Sequence, residues 1–219
     1  FQLNKIIPIK DLIHFYKKGL FPMAERSTEE TVNLYQPKKR FLIPITNFHV
    51  PRRLYKLFKK NKYTFRLNNN FEEVISQCQL SNRKDDGTWI NDIILNSYIN
   101  LYHNKICHSI ECYDENKLIG GLYGVHIGGC FFGESMFSKV SNTSKFCLLY
   151  LIAILKKNFF TILDSQFFNK HLLQFGAFEM NNKDYLTRLK IGIEQKRKFI
   201  FINDFQEVLS LTQPINHKS

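Results

Sequence analysis

The sequence predicts an α+β fold in which helices flank a mixed sheet. Its 219 residues are 44% hydrophobic and 23% charged, so the chain can bury a core of ordinary domain size. Apolar residues recur at helical spacing in much of the first half, whereas alternating, glycine-interrupted segments follow from about residue 107. No stretch approaches the roughly 18 apolar residues of a membrane span, and the start lacks a secretory signal pattern. We therefore expect a cytoplasmic protein that contacts no membrane.

Helices dominate the first half of the predicted fold. The predicted elements are helices over 11–18, 52–60, 71–80 and 92–103 and a strand over 41–45. Gly19 is a typical stop for the first helix, and Asn91 is a typical cap for the last one. We take residues 1–50 as a small N-terminal domain and residues 51–219 as the main domain.

Strands surround one central helix in the second half. The predicted elements are strands over 107–113, 118–127, 130–137 and 160–166, a helix over 142–157 and a short helix over 169–175. Antiparallel strands, a helix and a further strand, in this order, are similar to the fold of the GCN5-related N-acetyltransferases (GNAT). Residues 208–219 are expected to form a surface tail.

Cysteine and histidine usage argues against a disulfide framework and against a metal site. The five cysteines are odd in number and show no paired short spacing, and the seven histidines form no ligand motif. We expect reduced, mostly buried thiols and no metal site.

The basic charge is concentrated in one part of the chain. Thirty-one Lys and Arg face 19 Asp and Glu, and no acid occurs between Thr31 and Phe71. That segment holds Lys38, Lys39, Arg40, Arg52, Arg53, Lys56, Lys59, Lys60, Lys62 and Arg66. A region of one sign attracts polyanions, which favours nucleic-acid contact over the alternative of a merely solvated face.

Within this segment, Pro51 begins a predicted amphipathic helix. Leu54, Leu57 and Phe58 share its apolar face. The remaining faces present Arg52, Arg53, Lys56, Lys59 and Lys60. Because no motif for reading bases accompanies the helix, we expect these side chains to bind phosphates.

Three polar residues lie in apolar surroundings. Glu134 is a lone carboxylate in an aromatic strand, and Asp164 and Gln166 end another apolar strand. Two residues apart in a strand, Asp164 and Gln166 would share one face and could accept hydrogen bonds from an incoming amine. Burial would raise a carboxyl pKa toward the range of a general base. The alternative is an Asp that caps a turn and a Glu on a solvated edge.

Ten short motifs follow one another along the sequence. They are GLFPMA at 19–24, FHVPRR at 48–53, TWI at 88–90, HSIE at 108–111, GGLYG at 120–124, GESMFSK at 133–139, NTSK at 142–145, LDSQ at 163–166, HL at 171–172 and GA at 176–177. They extend over nearly the whole chain. Each motif alone is weak, but the ordered set is specific, and it resembles the bacterial leucyl/phenylalanyl-tRNA–protein transferases.

The resemblance implies a reaction and roles for the polar residues. The family transfers Leu or Phe, and sometimes Met, from aminoacyl-tRNA to the α-amine of proteins that begin with Arg or Lys, which marks them for N-degron proteolysis. Its fold is a small N-terminal domain on a GNAT-like domain, without metal or cofactor. Asp164 with Gln166 would position and deprotonate the amine. Glu134 would orient the acceptor or contact its basic side chain.

The resemblance also implies binding sites for the donor. The pocket for the Leu or Phe side chain would be lined by Leu122, Phe131, Leu148, Leu151, Leu155 and Leu163. Trp89 would lie beside this pocket, and the 3′-terminal adenosine would stack on an aromatic side chain. Tyr35 stands where the family usually has a Trp that helps to hold this adenosine. The predicted basic helix would bind the tRNA acceptor stem. We expect a monomer.

Two other functions compete with this interpretation. An acetyl-CoA-dependent N-acetyltransferase would need a glycine-rich turn for the pyrophosphate, but residues 138–145 contain no glycine. A non-catalytic RNA-binding module needs only the basic region, and it leaves Glu134, Asp164 and Gln166 unexplained. Uptake of acetyl-CoA would separate the two.

Overall fold

The computed structural model describes residues 6–81 and 88–214. The helices are α1 (Ile9–Lys17), α2 (Arg52–Phe58), α3 (Phe71–Leu80), α4 (Asp92–His103), α5 (Thr143–Lys157), a 3₁₀ helix (Lys170–Phe175), α6 (Asn182–Ile193) and α7 (Phe205–Thr212). The strands are β1 (Phe21–Met23), β2 (Asn33–Tyr35), β3 (Lys39–Ile43), β4 (Thr64–Leu67), β5 (Cys107–Asp114), β6 (Lys117–Ile127), β7 (Cys130–Ser138), β8 (Ile162–Asp164) and β9 (Phe178–Asn181).

Seven strands form one mixed sheet in the order β4-β5-β6-β7-β8-β3-β9. Every neighbouring pair is antiparallel except β7 and β8, which run parallel because α5 connects them. β1 and β2 form a separate two-stranded sheet. The predicted α+β fold with a mixed sheet flanked by helices is therefore confirmed.

Two hydrophobic cores cover the two faces of this sheet. On one face, α2, α5 and α7 pack together, and α5 is buried without interruption from Phe146 to Leu155. This continuous burial explains the long apolar run of that helix, since it lies between the sheet and α7. On the other face, α1, α3, α4 and α6 form the second core.

Several predicted elements are confirmed, and two predictions are wrong. The helix over 71–80 has the predicted bounds, and Asn91 caps α4 by accepting from the backbone N–H of Ile94. Of the strand predicted over 160–166, only Ile162–Asp164 (β8) forms a strand, because the chain leaves the sheet after Asp164. The predicted surface tail contains most of α7, whose Val208 and Leu209 are buried. Residues 215–219 of that tail lie outside the described residues.

The predicted domain boundary falls after a strand of the large sheet. β3 belongs to the predicted N-terminal domain, yet it pairs with β8 on one side and with β9 on the other. A separate N-terminal unit would have to end before Lys39. The division at residue 50 stays a prediction.

All five cysteines are buried, as expected. Across residues 6–81 and 88–214, no three His, Cys, Asp or Glu side chains are arranged to hold a metal ion. No helix in these two segments is both long and apolar enough to cross a bilayer.

Candidate active site

A cavity opens where β7 and β8 part. Their parallel pairing joins Cys130 to Ile162, Phe131 to Leu163 and Phe132 to Asp164, and it ends there. β7 continues along β6, whereas the chain after β8 turns away from it. The resulting cavity has a volume of about 400 Å³ and is lined by residues 133–136 and 163–169 among others. Glu134, Asp164 and Gln166 all line it, so the structure brings the three predicted polar residues together.

A β-bulge aims Glu134 at this cavity. Tyr123 pairs with Ser135 and Gly124 pairs with Gly133, so Glu134 is an extra residue without a partner on β6. Bulges of this kind redirect one side chain and are common beside active sites. Gly124 permits the close approach of the strands, because a Cβ there would lie 2.3 Å from the carbonyl oxygen of Phe132.

Glu134 is buried in a network of neutral donors. Its Oε1 accepts from the Tyr16 hydroxyl at 2.6 Å and from Gln166 Nε2 at 3.1 Å. The Tyr98 hydroxyl lies 3.4 Å from Oε2 and also hydrogen-bonds to the Tyr16 hydroxyl. Burial raises the pKa of Glu134 from 4.5 to about 7; the three hydrogen bonds oppose this shift, and the charge of Asp164 adds to it.

Asp164 is held by a buried arginine that the sequence did not reveal as its partner. Arg40 Nε donates to both carboxylate oxygens at 3.0 and 2.9 Å, and Nη2 lies 2.8 Å from Oδ2. The Tyr185 hydroxyl donates to Oδ2 at 2.6 Å. The guanidinium also lies over the rings of Phe21 and Tyr185, 4.7 and 4.6 Å from their centroids. Arg40 is therefore not part of the basic surface to which the sequence analysis assigned it, since it is fully buried.

Gln166 links the two carboxylates, although not in the predicted manner. It lies beyond β8 in the left-handed region, with φ of 68°, so the shared strand face predicted for Asp164 and Gln166 is wrong. Its backbone N–H donates to Asp164 Oδ1 at 2.8 Å, and its side-chain amide donates to Glu134. The Asp164 side chain thus caps a tight turn, and this turn fixes the position of Gln166 between the two carboxylates.

The predicted apolar pocket is largely the wall of this cavity. Leu122, Leu148, Leu151 and Leu163 line it. Phe131 and Leu155 are not part of the lining, because both are fully buried in the core, where the Phe131 ring stacks on that of Phe199. The lining also includes apolar residues that the prediction missed, among them Met23, Ile43, Met136, Leu172 and Phe175. Met23, Met136 and Leu172 lie within the matched motifs, but no periodic pattern assigned them to the pocket.

Aromatic side chains surround the mouth of the cavity. Trp89 lines it, as predicted for a residue near the terminal adenosine. Tyr35 does not line it, and its ring lies 6.1 Å from that of Phe167, which does. Phe167 and Phe168 are 42% and 57% exposed, and the sequence analysis did not select them.

The predicted basic helix is α2, and its basic face is open. Arg52, Arg53, Lys56, Lys59 and Lys60 are all exposed, and none forms an ion pair with a residue that the structure describes. Leu54 and Phe58 are buried, whereas Leu57 is 36% exposed and does not belong to the apolar face. The Phe58 ring packs 5.5 Å from that of Phe146 on α5, whose first turns line the cavity. The basic helix and the cavity therefore share the α5 side of the sheet.

Comparison with known proteins decides the family. The sequence profile of the family described as "Leucyl/phenylalanyl-tRNA protein transferase" matches residues 42–190. A transferase of this name from Zymomonas mobilis is 42% identical over 182 residues, which are 83% of this chain and 68% of that protein. The relative from Phenylobacterium zucineum is 42% identical over 82% of this chain and 81% of its own length, and that from Caulobacter vibrioides 41% over 85% and 86%.

The chain belongs to the leucyl/phenylalanyl-tRNA–protein transferase family. Membership confirms the prediction of an aminoacyltransferase of the N-end rule pathway. The match includes Glu134, Asp164 and Gln166, whereas Tyr16 and Arg40 precede it. The partners that hold the two carboxylates thus come partly from outside the matched segment.

The chain is also similar to solved structures. One of them is the structure of L-PGS from Bacillus licheniformis, with a TM-score of 0.39 and 14% identity over 96% of this chain and 64% of that chain. A similarity of this level does not assign the fold family. The GNAT-like fold stays a prediction.

Proposed function

We propose that this protein transfers Leu or Phe, and also Met, from aminoacyl-tRNA to the α-amine of proteins that begin with Arg or Lys. The product then carries an N-terminal signal for proteolysis. Family membership supports the reaction class. The observation that carries the proposal is an apolar cavity that ends in buried polar groups.

The cavity suits an aminoacyl ester. Its volume of about 400 Å³ lies in the range of small-ligand sites, and hydrocarbon side chains form one wall. Such a wall discriminates poorly between apolar side chains of similar size, so Leu, Phe and Met can share it. The polar end at Glu134 and Gln166 would then face the ester carbonyl, where the acceptor amine must attack.

The chemistry requires orientation more than a nucleophilic side chain. An aminoacyl ester is already activated, so a positioned amine attacks it without a covalent enzyme intermediate. The contacts favour Gln166 as the group that accepts a hydrogen bond from the amine. Asp164 fixes the turn on which Gln166 lies.

The exposed cations of α2 and the aromatic rings at the cavity mouth suit the tRNA. Unpaired cations on α2 would bind phosphates of the acceptor stem by charge and shape. Trp89 and Phe167 provide rings at the cavity mouth on which the terminal adenosine could stack, with Tyr35 behind Phe167.

The finer fold assignment is part of the same proposal. An antiparallel run from β4 to β7, followed by a parallel pair that parts at its end, supports a GNAT-like core. The cytoplasmic location and the monomeric state rest on the sequence alone.

A comparison of two donors in separate reactions tests the proposed function. Purified protein is incubated with a peptide that begins with Lys and with either labelled Phe-tRNA or labelled acetyl-CoA. We expect label from Phe-tRNA only. Label from acetyl-CoA alone would support the acetyltransferase alternative, and tRNA binding without transfer would support the RNA-binding module.

A further inference from the structure

We infer a second RNA-binding site at the carboxyl end of α5. In this site the Phe159 ring stacks on an unpaired base of the tRNA, and Lys196, Arg197 and Lys198 bind the adjoining phosphates. The choice of tRNA as the RNA rests on the proposed function. None of these four residues lines the cavity, so the site is separate from the one at which transfer takes place.

Phe159 occupies a backbone position that favours glycine. α5 ends at Lys157, and the backbone N–H of Phe159 donates to the carbonyl of Lys156 at 3.2 Å. The backbone N–H of Phe160 donates to the carbonyl of Leu155 at 2.9 Å. These two bonds form a Schellman motif, in which Phe159 is the left-handed residue with φ of 58°. Glycine is the usual residue there, because a side chain crowds the backbone in this conformation.

Burial does not explain this phenylalanine either. Its side chain is 71% exposed, more than any other large apolar side chain in residues 6–81 and 88–214. Seven non-glycine residues in these two segments have positive φ, and Phe159 is the one with an apolar side chain. A residue that breaks a local rule without a gain in folding is expected at a functional site. A ring held out in solvent is the arrangement by which proteins stack unpaired bases.

Three cations without partners lie next to this ring in the structure. Lys196, Arg197 and Lys198 are exposed, and none of them forms an ion pair with a residue that the structure describes. Residues 195–203 contain no acid. Arg197 Cζ lies 6.0 Å from the centroid of the Phe159 ring. A nucleotide whose base stacks on the ring would therefore have its phosphate beside a guanidinium, the side chain best suited to bind it.

The cationic segment is held against the end of α5. Asn158 Nδ2 donates to the carbonyl of Ile200 at 3.2 Å, and the Thr161 hydroxyl lies 3.5 Å from Gln195 Oε1. One contact precedes Phe159 in the sequence and the other follows it. The ring and the cations are thus positioned together before the RNA binds, which lowers the entropic cost of binding.

α7 connects this site to the basic face of α2. The Tyr55 hydroxyl on α2 donates to the carbonyl of Leu209 at 3.2 Å. Lys156 Nζ, near the end of α5, donates to the carbonyl of Leu211 at 2.8 Å. Both surfaces therefore contact the same short helix, whose diameter is about 10–12 Å. One polyanion can extend from α2 across α7 to the end of α5, so the occupant that fits is the tRNA that the cations of α2 bind.

The test compares the affinity of Phe159→Gly for deacylated tRNA with its resistance to urea. Glycine relieves the left-handed strain, so we expect the urea midpoint to stay the same or to rise. We expect the Kd for tRNA, measured by fluorescence anisotropy, to rise about 5- to 150-fold, the usual loss for one stacked base. A folding defect would instead lower both stability and affinity. A Kd within twofold of wild type would overturn the inference.

Two further variants separate stacking on the ring from apolar contact. Phe159→Leu keeps an apolar side chain and should lose as much affinity as Phe159→Gly, whereas Phe159→Trp should retain wild-type affinity. Wild-type affinity in the Leu variant would overturn the inference. The matched control is Leu80→Ala, because Leu80 is 69% exposed on α3, on the opposite face of the sheet. Its Kd should not change, and a loss equal to that of Phe159→Gly would contradict a specific site.

The RNA probe tests the base and the phosphates separately. A blunt-ended RNA duplex has no unpaired base, so wild type and Phe159→Gly should bind it equally, and a loss in the variant would contradict stacking. Arg197→Gln with Lys198→Gln should reduce the slope of log tRNA affinity against log salt by about one per lost phosphate contact. An unchanged slope would overturn the assignment of phosphates to these cations.

Failure of this inference differs from failure of the proposed function. Deacylated tRNA reports binding without transfer. A wild-type protein that binds tRNA and transfers no amino acid refutes the function, whereas an active wild type with an unchanged Kd in Phe159→Gly refutes only the second RNA site.

Discussion

Replacing Arg40 by Met should be among the most damaging single substitutions in this protein. Met removes the buried guanidinium and its bonds to Asp164, together with the hydrogen bond of Nη1 to the carbonyl of Gly19. Asp164 then stays buried beside Tyr185 without a counter-ion. Removing one partner of a buried ion pair costs about 3–5 kcal/mol of the free energy of unfolding.

Urea unfolding followed by circular dichroism at pH 7 measures this cost. With a slope of about 2–3 kcal/mol/M, the midpoint should fall by about 1–2 M. Asp164→Asn alone should also destabilise, because it leaves Arg40 unpaired. The double variant should be less destabilised than the sum of the two by about 2 kcal/mol. A midpoint within 0.3 M of wild type for Arg40→Met, roughly 1 kcal/mol at that slope, would refute the assigned ion pair.

Three further predictions concern the cavity, the basic helix and the bulge. Leu151→Phe narrows the cavity, so transfer of Phe should fall about tenfold more than transfer of Leu; equal losses would place Leu151 outside the side-chain pocket. Arg52→Glu with Arg53→Glu should reduce the slope of log tRNA affinity against log salt by about one per lost phosphate contact, and an unchanged slope would mean that another surface binds the tRNA. Gly124→Ala should cost about 1–3 kcal/mol of the free energy of unfolding, because its Cβ would lie 2.3 Å from a backbone oxygen. Gly133→Ala, with a nearest contact of 3.5 Å, is the matched control and should cost less.

Local signals in the sequence were sufficient for many helices and strands. Asn91 and the apolar spacing after it predicted α4, and Gly19 marked the end of α1. Glu134, Asp164 and Gln166 stood out because carboxylates and amides rarely occur inside apolar strands, and the structure does bring them to one cavity.

Long-range pairing explains what the sequence could not supply. Arg40 is 124 residues from Asp164 and looked like one more cation of a basic segment. Tyr16 is 118 residues from Glu134 and looked like part of an apolar helix face. The register shift between β6 and β7, which leaves Glu134 unpaired, depends on close packing at Gly124 that no periodic pattern encodes.

The central claim is that the protein transfers an apolar amino acid from tRNA to a basic N-terminus. Mass spectrometry after incubation with Phe-tRNA tests this claim on three peptides. They are identical except for the first residue, which is Lys, Lys acetylated at its α-amine, or Ala. The account predicts the addition of one Phe to the α-amine of the Lys peptide and no addition to the other two. Addition to the N-acetyl-Lys peptide, or no addition to any of them, would contradict it.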